Sequence, residues 1–90
     1  MVEIMTYLLA IFRNKTDTMA FYSILLSYRV KCKIVNTPKQ AMIACGISVK
    51  LSMNDYVKAL EIFKRRRFSS FVGFYKVTER GSSLIIVPYL

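Results

Sequence analysis

Residues 5–12, Met-Thr-Tyr-Leu-Leu-Ala-Ile-Phe, form an almost unbroken apolar run closed by Arg13-Asn14-Lys15. A run of this length without strict alternation suits a strand buried at the centre of a sheet. After the polar break, Ala20, Phe21, Ile24, Leu25 and Tyr28 recur at helical spacing. That pattern predicts an amphipathic helix of about three turns ending near Tyr28. Thr16 is expected at its N-cap, with Asp17 in the first turn where a carboxylate favours the helix dipole.

The remaining elements follow from the same logic. Lys31-Cys32-Lys33-Ile34-Val35-Asn36 alternates charged and apolar residues, as an edge strand does, with Cys32 and Ile34 on its dry face. Thr37-Pro38 stops that strand. Ile47, Val49 and Leu51 alternate with Ser48 and Lys50 in a third strand. Ser52-Met53-Asn54-Asp55 has the form of a capping box, with Asp55 in place of the commoner Glu. Tyr56, Val57, Ala59, Leu60, Ile62 and Phe63 then predict a second amphipathic helix. It closes in Lys64-Arg65-Arg66-Arg67, where cations suit a helix C-terminus. Residues 71–77 read as a fourth strand, followed by a Gly81-Ser82-Ser83 turn and an uncharged apolar end, residues 84–90.

The order β-α-β-β-α-β predicts an α+β, ferredoxin-like sandwich: a four-stranded antiparallel sheet backed by two helices. Residues 1–77 would form that domain. Residues 78–90 would be a C-terminal extension, an added strand or a packing segment. One sheet face would stay open, to be covered by the tail or by a second copy of the chain in a homodimer.

Ninety residues allow one domain and no second core. Fourteen Lys and Arg against five Asp and Glu give a net charge of +9, a field that draws nucleic acid, anionic lipid or acidic proteins. There is no histidine, which removes His-based acid–base catalysis, Cys-His dyads and most zinc sites. No catalytic constellation, cofactor motif or metal-ligand set is visible. Cys32 and Cys45 are the only cysteines and form no Cys-x-x-Cys pair. The N-terminal apolar run lacks a basic leader and is too short to span a membrane. The expectation is a cytoplasmic, reducing setting with two free thiols.

The segment Thr37-Pro38-Lys39-Gln40-Ala41-Met42-Ile43-Ala44-Cys45-Gly46-Ile47-Ser48 places a thiol on a proline-opened loop, followed directly by glycine. A loop thiol on a rigid scaffold can reach a partner, whereas one inside a strand or helix is usually a small apolar side chain. On these residues Cys45 is either a reactive thiol or a small side chain packing a turn. Cys32, alternating with lysines, reads as structural. Lys39 and Arg13 are the cations expected to favour a Cys45 thiolate.

Residues 8–77 resemble a small bacterial family described as putative Se/S carrier protein-like. The resemblance rests on the Thr-Asp helix start, Thr37-Pro38-Lys39, Cys45-Gly46-Ile47-Ser48, a helix beginning near Asp55, and Gly73-Phe74-Tyr75 in the last strand. It implies the ferredoxin-like fold and a role carrying sulfur or selenium on the cysteine, and the leading expectation is a non-enzymatic carrier or accessory protein acting through Cys45. Donor and acceptor proteins would be the partners, with Pro38, Lys39 and Gly46 as the supporting loop. Two other readings stand beside it. One is a nucleic-acid-binding module using Lys64, Arg65, Arg66 and Arg67, with Tyr7, Phe71, Phe74 and Tyr75 offered as stacking residues. The basic-Gly-aromatic signature of sheet-type RNA binders is missing, which favours a core role for those rings. The other is a structural subunit that dimerises by its sheet face.

Overall fold

The computed structural model describes residues 4–41 and 45–89. Met42, Ile43 and Ala44 of the thiol loop, and Leu90 of the tail, lie outside the described residues. The elements run β1 (Ile4–Phe12), α1 (Lys15–Ser27), β2 (Cys32–Asn36), a 3₁₀ turn (Lys39–Ala41), β3 (Ile47–Leu51), a 3₁₀ turn (Met53–Asp55), α2 (Tyr56–Lys64), β4 (Phe71–Arg80) and β5 (Ser83–Pro88). The protein is α+β, with two helices and one five-stranded sheet of order β2-β3-β1-β4-β5 in which every neighbouring pair is antiparallel. The long apolar strand β1 is central, as its composition demands. The sheet has five strands where two split βαβ halves would give four, because residues 83–88 pair with β4. A two-residue Gly81-Ser82 loop joins β4 to β5, and Gly81 supplies the positive φ, 60°, that such a hairpin requires at its first loop position.

Cross-strand register assigns the two faces. Leu8, Ala10 and Phe12 point to the helices with Val49, Leu51 and Phe74, and meet Phe21 and Leu25 of α1 and Ala59 and Ile62 of α2. All six phenylalanines join this side in one cluster of edge-to-face and stacked rings: Phe12, Phe21, Phe63, Phe68, Phe71 and Phe74. Such pairs add about 0.5–1.5 kcal/mol each beyond the area they bury. Phe74 is therefore a fully buried core residue, and the partly buried Phe71 packs against it. On the opposite face Leu9, Ile11 and Val77 are also sealed from solvent. Val35 and Ala41 pack against them from the β2 side, and Leu84 and Ile86 from β5. The centre of the second face is thus covered by neighbouring side chains, and the tail adds an edge strand to the sheet while Met5 on this face stays 47 % exposed.

Local expectations are corrected at the helix ends. Asn14, rather than Thr16, caps α1: its side chain accepts the Asp17 N–H at 2.8 Å. The helix starts as soon as the chain leaves β1, so the first extended residue with a short polar side chain takes the cap. Ser52 caps the 3₁₀ turn by accepting the Asn54 N–H at 3.1 Å, and α2 begins only at Tyr56, so the Ser52–Asp55 capping box does not form. Val57 faces solvent at 66 % exposure instead of joining the buried stripe. α1 ends in a Schellman turn. Arg29 at φ 62° donates its N–H to Leu26 O, and Val30 donates to Leu25 O with its own side chain buried.

Candidate functional site

Cys45 sits where β3 is about to begin. Its N–H donates to Phe12 O at 3.2 Å, which ties the end of the loop to the end of β1. Its thiol donates to Ile47 O at 3.1 Å, and Thr18 Oγ1 lies 3.4 Å from Sγ. These two neighbours differ in kind. A carbonyl only accepts, so the contact with Ile47 holds the protonated thiol. The Thr18 hydroxyl donates to Asn14 O at 3.0 Å, yet can rotate to donate to sulfur instead. Thr18 is the one described neighbour of Sγ able to support either the thiol or the thiolate. Sequence reasoning passed over it, although the signal was present. Thr18 lies on the buried stripe Thr18, Phe21, Leu25, so its hydroxyl had to point inward.

The supporting loop is held at its base. Thr37 N–H donates to Gly46 O at 3.0 Å, and Thr37 Oγ1 and Ser48 Oγ lie 2.6 Å apart, with Ser48 fully buried. Pro38 O accepts from Ala41 N–H at 2.9 Å and so closes the 3₁₀ turn that Lys39 opens; Lys39 is exposed. Gly46 is exposed, its φ is not in the left-handed region, and an added Cβ would meet nothing within 4 Å among the described residues. Its backbone does not require glycine. What Gly46 leaves is open space beside the thiol.

Cys32 sits in a different setting. It packs beneath α1 against the helix-side core, with Sγ 3.9 Å from Tyr22 O, and burial pushes its thiol pKa up. Both cysteines are free thiols.

The topology gathers one end of the molecule around Cys45. The C-terminal end of β1, the start of α1, the start of β3 and the start of β4 coincide there, and α2 delivers Lys64 to the same end. Asp17 Oδ2 accepts from Ser70 N–H at 3.1 Å and Ser70 Oγ–H at 2.7 Å, while Arg13 N–H donates to Ser70 O at 2.7 Å. These bonds clamp the β4 entry onto the first turn of α1. Arg65 caps α2, Arg66 N–H donates to Phe63 O, and all four residues Lys64, Arg65, Arg66 and Arg67 are exposed. Arg65 lies toward Ile24 and Tyr28, Lys64 and Arg67 line a groove with Asp17, and Arg66 borders both.

At the opposite end Tyr7 donates to Glu79 Oε1 at 2.7 Å, and Lys50 Nζ stands 4.2 Å from the centre of its ring. Burial, then the Glu79 hydrogen bond and charge, pushes the Tyr7 pKa up to about 12. Among the described residues no group of three or more His, Cys, Asp or Glu is placed to hold a metal, and no helix is long and apolar enough to cross a membrane.

The family described as putative Se/S carrier protein-like matches the chain over residues 7–70, from Tyr7 of β1 to Ser70 at the entry to β4. That span contains both helices, the Cys45 loop and the Asp17–Ser70 clamp. No curated protein and no solved structure gives a significant match. With well over half of its 90 residues matched, the chain belongs to the Se/S carrier protein-like family.

Proposed function

We propose that the protein carries sulfur or selenium, in transit between a donor and an acceptor protein, on the thiol of Cys45. The observation that carries this reading is the position of Sγ between a fixed acceptor, Ile47 O, and a hydroxyl that can switch to donor, Thr18, beside the open space at Gly46. In the step, the Cys45 thiolate attacks the outer sulfur of a donor persulfide, R–S–SH. The sulfur–sulfur bond of the donor breaks as a new one forms to Sγ. Cys45 becomes the persulfide, and the donor leaves as its thiolate. The exchange needs no external oxidant or reductant, and a selenium atom would transfer in the same way. No residue has to act as a histidine-type base, which accords with a carrier rather than an enzyme. Pro38 stiffens the loop, Lys39 presents a cation to the partner, and Gly46 admits its approach. The β2-β3-β1-β4 part with its two helices supports the reading of residues 1–77 as a ferredoxin-like domain, with residues 78–90 completing β4 and adding β5 at the sheet edge. Free thiols suit the reducing cytoplasm.

The test is intact-mass analysis after treatment with a low-molecular-weight persulfide. One added sulfur is expected on wild-type protein and on Cys32→Ala, and none on Cys45→Ser. An adduct that survives Cys45→Ser would overturn the assignment.

A further inference from the structure

At the end of the molecule that holds the thiol lies a groove of about 610 Å³ lined by Asp17, Phe63, Lys64, Arg66, Arg67, Phe68 and Ser69. Its cations are exposed, while Phe63 and Phe68 are half-buried and form an apolar floor. Asp17, the single acid, is directed to Ser70 by two hydrogen bonds and is already satisfied. The next residue along α1 is Thr18, whose hydroxyl meets Cys45 Sγ. We infer that this groove docks an acidic peptide segment bearing an apolar anchor, presented by the protein that exchanges sulfur or selenium with Cys45; the inference rests on the carrier reading.

Three features select this occupant. Two arginines and a lysine converge on one groove, and a guanidinium fork pairs a carboxylate through two hydrogen bonds. The volume falls within the range of pockets that hold small ligands, and so takes a few side chains rather than a folded surface. The floor offers apolar contact from rings already packed on one another. Phe63 and Phe68 stack on each other at 5.8 Å and 17°, and both are engaged by Phe21. Sequence-tolerant binding of single-stranded nucleic acid relies on bases stacking on open rings, and two rings packed on each other in this way favour side-chain contact instead. Some cationic charge at a helix C-terminus serves the helix itself. Arg66 and Arg67, however, lie beyond the last helical residue, Lys64, and Arg65 already occupies the cap.

The experiment uses a fluorescently labelled peptide of Glu and Asp flanking one Leu-Phe pair, and a labelled single-stranded oligouridylate of equal charge. Binding of each is followed by anisotropy to the full chain. The triple change Lys64→Ser, Arg66→Ser and Arg67→Ser is expected to weaken peptide binding at least tenfold. Lys31→Ser, Lys33→Ser and Lys76→Ser together remove the same charge elsewhere and should leave it within about twofold. Bound peptide should also slow alkylation of Cys45 but not of Cys32. Equal losses from both triple variants would mean a general attraction to the basic protein and would overturn the site, as would tighter binding of the oligouridylate. The groove variant should still take one sulfur on Cys45 from the small persulfide. Failure of docking is thereby read separately from failure of the carrier chemistry.

Discussion

Thr18 Oγ1 and Cys45 Sγ lie 3.4 Å apart although 27 residues separate them, so the first turn of α1 and the end of the thiol loop share one polar contact. If that hydroxyl supports the thiolate, Thr18→Val should slow alkylation of Cys45 by up to about tenfold, the worth of one hydrogen bond to a charged sulfur. Thr18→Ser keeps the hydroxyl and should react like wild type. Under a limiting alkylating agent near neutral pH, Cys45 should be labelled well before Cys32, which is packed beneath α1. Peptide mapping after timed quenching measures both rates. Faster labelling of Cys32 would reverse their roles.

Tyr7 makes stability fall at alkaline pH. Its folded pKa of about 12 lies above the usual tyrosine value of 10.0, so the folded state holds the proton more tightly. Its contribution is complete below pH 10 and drains away as pH rises toward 12, because the unfolded chain ionises first. Tyr7→Phe removes the phenol and with it this part of the slope. Urea melts of both proteins on either side of pH 10 should converge as pH rises. A constant difference would show that Tyr7 titrates normally.

Arg29 holds a left-handed conformation at φ 62° that glycine adopts without steric cost. Arg29→Gly should raise stability by about 1 kcal/mol, since the Schellman bonds are made by the backbone and survive the change. Chemical denaturation with an unchanged m-value reads this directly.

Deleting residues 83–90 strips β5 from β4. The deletion removes Leu84 and Ile86 from the second face and the Tyr89 ring from Tyr56, to which it packs edge-on at 4.7 Å. Loss of about 2–4 kcal/mol is expected from two half-buried aliphatic side chains and the exposed strand edge. The alkylation rate of Cys45 should not change, because its contacts are with β1, α1 and β3. An unaltered melting temperature would show β5 to be dispensable.

Periodicity in the sequence was enough to locate β1, the edge strand β2 with Cys32 turned inward, and both helices. Those features depend on which side of a short segment is apolar, and a segment carries that information itself. The fifth strand was open among several fates because the apolar tail could have satisfied its surface in more than one way. Pairing of Val77 with Ile86 and Thr78 with Ile85 settled it. The cap at Asn14 and the late start of α2 were misread, since a cap belongs to whichever residue stands where the chain turns. That point is set by how β1 and β3 end against the core.

The Cys45 loop was legible as a motif and its chemistry was not. The sequence alone determined that a thiol would stand between a proline-opened loop and a strand, next to a residue without a side chain. Tertiary structure alone decided that Thr18 would face that thiol, that Ser70 would clamp Asp17, and that three cations would converge over Phe63 and Phe68 at the same end. Each of these contacts joins residues far apart in the chain. They exist because antiparallel pairing of β1 with both β3 and β4 brings one end of every central strand to a single place, and no local pattern encodes which surfaces will meet there.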